Sequence, residues 1–170
     1  MMFRAITIIE TLFAMSIMAI ALYFFSPTLF YLQDHIVLNN EIDQIKSFIY
    51  QIQAKARYQK QNYSISISQN VADKKWCMVA IEKVSDKQIA CNCLNIASCD
   101  IQKSYYLYQT ENAVVKNNSL YPKVFINVDG KSGRLESKCL RVTVNKIYEI
   151  LQVEQNGVIN VIQKGKRTSC

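Results

Sequence analysis

Residues 6–25, ITIIETLFAMSIMAIALYFF, are twenty residues carrying one charge, Glu10. At about 1.5 Å per residue an α-helix of that length is about 30 Å long, the thickness of a bilayer's hydrocarbon. Arg4 is the one basic residue upstream, and no Lys or Arg follows until Lys46. The positive-inside bias therefore places the amino terminus in the cytoplasm and the rest of the chain across the membrane. A secretory signal peptide has a shorter apolar core, about 7–15 residues, and ends on small residues before its cleavage site. Here the run leads into Ser26-Pro27 and further large apolar residues, which fits a retained anchor. Glu10 is the anomaly, since a carboxylate near the centre of a membrane helix costs about 2.5–3.5 kcal/mol on insertion scales. Near the end of the span the cost is lower. Two readings stand: Glu10 snorkels to the interface, or it awaits a partner charge, such as the free α-amine of a neighbouring chain.

After this run the apolar period becomes that of an amphipathic helix. Leu38, Ile42, Ile45, Ile49, Ile52 and Ala56 recur at intervals of 4, 3, 4, 3 and 4, which places them on one stripe. Asp34, Asn39, Asn40, Glu41, Asp43, Gln44, Lys46, Gln51 and Lys55 fill the other faces. Pro27 lacks an amide hydrogen and disturbs the preceding turn, so a bend near residues 23–27 is expected. Beyond Lys60 the period drops to two. Segments 63–68, 76–82, 104–109, 123–128, 139–144 and 146–153 are rich in β-branched and aromatic residues and read as strands. Asn156-Gly157 predicts a type I′ hairpin turn before VINVIQ, and Asp129-Gly130 marks another turn. The expected class is α+β: a long amino-terminal helix, its first half transmembrane, followed by an antiparallel β-domain.

All six cysteines, Cys77, Cys91, Cys93, Cys99, Cys139 and Cys170, fall in the second part. With that part outside the cytoplasm they are disulfide candidates, and the sequence leaves the pairing open, with Cys139 a candidate partner for Cys170. Cys91-x-Cys93-x5-Cys99 lacks the Cys-x2-Cys spacing of a zinc knuckle, so no metal is expected. The lone histidine, His35, stands on the helix as a surface or interface residue, and Gly-rich phosphate loops and nucleophile motifs are absent. The chain is expected to be neither an enzyme nor a cofactor carrier.

RAITIIETLFAMSIMAIAL resembles the prepilin signature of type IV pilins and type II secretion pseudopilins. That pattern is a short basic leader, a small residue before the cut, and an apolar helix whose fifth residue is Glu. The resemblance places the cut between Ala5 and Ile6, which makes Glu10 fifth and Pro27 twenty-second, where many pilins carry a kinking Pro. Thr7 matches a hydroxyl-bearing second position; Ala5 and Ile6 stand where Gly and Phe are usual. The resemblance implies a leader at 1–5, a transmembrane and filament-core helix at 6–27, a stalk at 28–60 and a periplasmic pilin-like β-domain at 61–170. It implies cleavage by a prepilin peptidase and N-methylation of Ile6. It also implies assembly through Glu10 and Pro27 with other major and minor pilins on an inner-membrane pilus assembly platform.

The order of strands from KWCMVAIE through VFINVDGKSG to a final hairpin and terminal Cys loosely resembles GspH/FimT-type minor pilins and pseudopilins. Major pilins tend to carry a single disulfide loop, so dispersed cysteines fit a minor component. Residues 61–170 hold 15 Lys+Arg and 9 Asp+Glu, so this part carries +6 of the net +7. Some minor pilins of this type bind DNA during natural transformation through a Gly-Arg-x-Arg-x-Arg run. Here Val158, Asn160 and Ile162 follow Gly157 at those positions. Lys164, Lys166 and Arg167 lie beyond, and Lys131, Arg134, Lys138 and Arg141 across a nearby turn and strand. They form a candidate for salt-dependent, sequence-independent phosphate contact; the plainer reading is a solvated basic surface. Tyr105, Tyr106 and Tyr108 are candidates for base stacking, or for packing within a strand. The expected function is a minor pilin of a type IV pilus that supports DNA uptake, with a type II secretion pseudopilin as the alternative.

Overall fold

The computed structural model describes residues 7–70, 72–73, 75–83, 91–95, 103–108, 113–116 and 124–162. Two units separate at Ile36/Val37, and helix α1, Ile8–Gln59, contributes to both. The helical assignment runs unbroken through Pro27.

In the unit beginning at Val37, all six residues of the predicted stripe are buried, from Leu38 to Ala56. The helix closes at Lys60, which takes a left-handed conformation (φ 54°). That turns the Gln61 amide back onto the Ala56 carbonyl at 3.1 Å, satisfying one of the helix's last carbonyls.

Eight strands follow: β1 Tyr63–Asn70, β2 Lys75–Glu82, β3 Lys103–Tyr108, β4 Ala113–Lys116, β5 Val124–Val128, β6 Lys138–Val144, β7 Ile147–Val153 and β8 Ile159–Ile162. They form two antiparallel sheets, ordered β3-β2-β1-β5 and β4-β6-β7-β8. One core joins the helix stripe to Ile65, Ile67, Trp76, Met78 and Phe125 of the first sheet and Val115, Leu140, Val142, Leu151 and Val153 of the second. A shift of register between Ile65 and Ser66 against β5 leaves Phe125 as an extra residue. Phe125 and its neighbour Ile126 are therefore both buried. The Gln69 side-chain carbonyl accepts the Val115 amide at 2.9 Å, tying β1 to β4.

The outer face of the first sheet carries a second small core of Cys77, Val79, Ile81, Cys91 and Cys93. A Cys77–Cys93 disulfide, with Cα atoms 5.9 Å apart, pins the 91–95 segment to β2. Cys91 and Cys139 are also disulfide-bonded, and no described cysteine is free. Cys99 and Cys170 lie outside the described residues.

The hairpin expected at Asn156-Gly157 is present, with a different turn. Only Gly157 has a positive φ, 88°. The Gly157 amide reaches the Glu154 carbonyl at 3.0 Å, and the Glu154 amide reaches the Val158 carbonyl at 2.9 Å. This is a type I turn followed by one left-handed glycine, rather than the type I′ turn. The Asn156 side chain caps the turn by accepting the Val158 amide at 3.0 Å. At the Asp129-Gly130 turn, the Asp129 carboxylate accepts the Ser132 hydroxyl and the Lys131 amide. These bonds hold its pKa below the ordinary aspartate value, the Ser132 bond contributing most.

Three glycines meet one ridge of α1 and its continuation. A Cβ on Gly157 would lie 2.0 Å from Gln53 Nε2, one on Gly133 would lie 1.8 Å from Arg57 Nε, and one on Gly130 would lie 2.4 Å from the Gln61 backbone. Residues 53 and 57 are four apart on one helix edge and Gln61 follows the helix end, so that edge and the chain leaving it are keyed to two turns. Gln53, itself buried, donates from Nε2 to the Gly133 carbonyl at 2.7 Å.

Gly157→Ala should destabilise the domain by more than about 1 kcal/mol, because it adds strain at positive φ and displaces the Gln53 amide. In urea denaturation, Gln53→Ala combined with Gly157→Ala should recover none of the backbone strain, so the double variant stays below the single Gln53→Ala variant. Replacing Cys77 and Cys93 by serine should cost roughly 3 kcal/mol, the chain-entropy value for a loop of about 15 residues. A denaturation midpoint unchanged in that variant would show that the 91–95 segment contributes nothing to the fold.

Candidate functional site

The amino-terminal half of α1 is exposed on every face. Large apolar side chains from Ile8 to Ile36 are exposed, including Leu12, Phe13, Met18, Phe24, Leu29 and Leu32. By length and composition this helix can cross a membrane. Its first turn is built by Thr7. The Glu10 amide donates to the Thr7 carbonyl at 3.0 Å and lies 3.4 Å from Thr7 Oγ1. Thr7 followed by Glu10 three residues on has the spacing of a capping box, and a carboxylate in the first turn suits the positive end of the helix dipole. The Thr11 hydroxyl returns to the Ile8 carbonyl and the Ser16 hydroxyl to the Phe13 carbonyl, each at 2.8 Å. Both hydroxyls are thus satisfied within the helix and add little cost to an apolar environment.

Glu10 and Pro27 both lie on this segment, seventeen residues apart along one helix. Ala5 and Ile6, the cleavage and methylation residues implied by the prepilin resemblance, lie outside the described residues. Near the segment's far end, the Tyr31 and His35 rings meet edge to face, with centroids 4.5 Å apart. The exposed apolar surface continues past the expected boundary at residues 27/28, as far as Ile36. Counting apolar residues by stripe missed this extension, because the stripe begins at Leu38. The absence of any charge between Glu10 and Asp34 was the available signal.

Among the described residues, the basic candidates lie on different elements and faces. Lys138 and Arg141 are three residues apart on β6, so strand alternation sends them to opposite faces. The Arg141 guanidinium lies over the Tyr148 ring, 4.9 Å from its centroid, on a neighbouring strand. Arg134 instead lines a cleft of about 270 Å³ with Asn62, Lys83, Asn127, Asp129 and Glu136. Two cations and two acids meet there, so the cleft's formal charge cancels. Its acids are occupied internally: Glu136 accepts the Asn127 amide at 2.7 Å, and Asp129 serves its own turn. Lys164, Lys166 and Arg167 lie outside the described residues, as do the side chains of Tyr105, Tyr106 and Tyr108 on β3. Among the described residues no group of three or more His, Cys, Asp or Glu side chains is placed to hold a metal ion.

No family model matches the chain. A protein of Haemophilus influenzae strain Rd, named only as an uncharacterized protein, is 28% identical over 139 residues, covering 80% of each chain. Among solved structures, the minor pseudopilin EpsH from the type 2 secretion system of Vibrio cholerae overlaps with a TM-score of 0.48 at 10% identity. That overlap covers 76% of this chain and 98% of the other.

Proposed function

We propose that the chain is a minor subunit of a type IV pilus, held in the bacterial inner membrane by the first half of α1 until it joins the filament. The observation that carries this reading is an apolar helix, exposed all round, with a single carboxylate in its first turn. The β-domain completes its core with the helix from Leu38 onward. Nothing in that core uses Ile8–Ile36, and this apolar surface is available first to lipid and then to neighbouring helices.

Prepilin peptidase adds water across the Ala5–Ile6 bond and leaves an α-ammonium on Ile6. Methylation of that nitrogen keeps its positive charge. Glu10 of one subunit then pairs with the ammonium of the next as the helices bury each other. In a low-dielectric surrounding the two charges are tolerated together and costly apart, so the pair selects one axial register. The partners are other pilins, the peptidase and the membrane assembly platform. The +6 of residues 61–170 favours a filament that meets DNA, through non-specific phosphate contact. A type II secretion pseudopilin shares every step through assembly and differs in cargo.

Co-expression with a prepilin peptidase should remove residues 1–5, read by intact mass. Glu10→Ala should be cut normally yet be missing from sheared filaments. An uncut chain, or Glu10→Ala incorporated at the level of the parent, counts against the proposal. For the DNA branch, the compact unit from Val37 to Cys170 should retard duplex DNA at low salt and release it as salt rises. Lys138→Ala should weaken binding about equally for all sequences and flatten the salt slope by about one. Retardation insensitive to salt, or none at low salt, removes DNA from the account.

A further inference from the structure

The exposed apolar surface of α1 is longer than the span at 6–25. Leu29, Phe30, Tyr31 and Leu32 follow that span and are 61%, 66%, 57% and 55% exposed. Two placements of a bilayer on the helix therefore compete. With the hydrocarbon on residues 6–25, Glu10 lies inside it and these four side chains stand in water or headgroups. With the hydrocarbon on residues 11–33, the buried stretch is 23 residues with no charge, between Glu10 and Asp34. At about 1.5 Å per residue that is about 35 Å, long enough to cross about 30 Å of hydrocarbon with some tilt. The second placement gives up Ile6, Ile8 and Ile9 and gains Leu29, Phe30, Leu32 and the ring of Tyr31. It also removes a carboxylate from the hydrocarbon. Ser26, Thr28 and Gln33 enter with the four side chains gained and three isoleucines leave, so the balance rests on the carboxylate returning to water and on the larger apolar area of those four. Tyr31 comes near the outer boundary, where an apolar ring with a polar tip is favoured. Pro27 falls inside the span, which membrane helices accept.

We infer that, before assembly, the lipid hydrocarbon covers Thr11–Gln33, with Glu10 at the cytoplasmic boundary and Asp34 at the outer one. This rests on the membrane anchoring in the proposed function. The scissile Ala5–Ile6 bond then lies on the cytoplasmic side of the hydrocarbon, reachable by a hydrolase without drawing the helix out. Glu10 pays little for residence in lipid, and its need for a counter-charge arises only when neighbouring helices enclose it.

The test uses the full chain expressed without other pilins, in inner-membrane vesicles of both orientations. Each sample carries one introduced thiol: Ile8→Cys, Ser16→Cys or Phe30→Cys. A membrane-impermeant maleimide reports which thiolates meet water, and the parent chain, whose described cysteines are disulfide-bonded, supplies the background. The expected result is labelling of Ile8→Cys in inside-out vesicles only, with Ser16→Cys and Phe30→Cys silent in both until detergent is added. Protection of Ile8→Cys together with labelling of Phe30→Cys in right-side-out vesicles overturns the placement and leaves the anchor intact. Labelling of Ser16→Cys without detergent overturns the anchor itself.

Discussion

The fold depends on a change in what one helix asks of its surroundings. Through Ile36 its apolar residues point in all directions and are exposed; from Leu38 they keep to a stripe that is buried. A sheet can cover only one side of a helix, so the β-domain satisfies the second part, whose stripe it buries. The chain thus carries a finished domain and an unfinished surface on one continuous element. A bilayer or a bundle of like helices is the kind of surrounding that matches that surface.

Within the domain, burial is divided between two sheets and two cores. The main core lies between the helix stripe and the inner faces of both sheets. The second is a small cluster on the outside of β2, held by the Cys77–Cys93 bond. A domain of this size gains from such covalent closure, because the apolar area available to offset chain entropy is limited. Tyr63 shows how tightly the helix end is drawn in. Its hydroxyl bonds the Gln59 side chain, and burial, followed by the nearby Glu82 charge, pushes its pKa above the ordinary tyrosine value.

Much of this was legible from local pattern. The helix stripe, six strands and the final hairpin follow from spacing and residue type. β4 did not, because AVVK is four residues long, too short for alternation to stand out. The split into two sheets was also hidden. It depends on which distant strands pair, β1 with β5 and β4 with β6, and no local period encodes partners. At the hairpin, Asn-Gly correctly located the turn but not its form, since the Asn156 side chain supports a turn that needs one left-handed residue. For the candidate site, Glu10 and Pro27 both lie on α1. The basic residues are close in sequence, which says nothing of the faces they take in a sheet. Strand alternation parts Lys138 from Arg141, while Arg134 lines a cleft whose formal charges balance.

The ridge of Gln53, Arg57 and Gln61 against three glycines bears on how such a chain can vary over time. Each residue added to a helix rotates everything beyond it by about 100°. Between Leu38 and Arg57, a single insertion or deletion would swing either the stripe off the sheets or the ridge off the two turns. No substitution nearby restores both. That stretch is thereby locked in length, a ruler rather than a spacer, and natural drift in helix size has room only in the part that faces every direction alike.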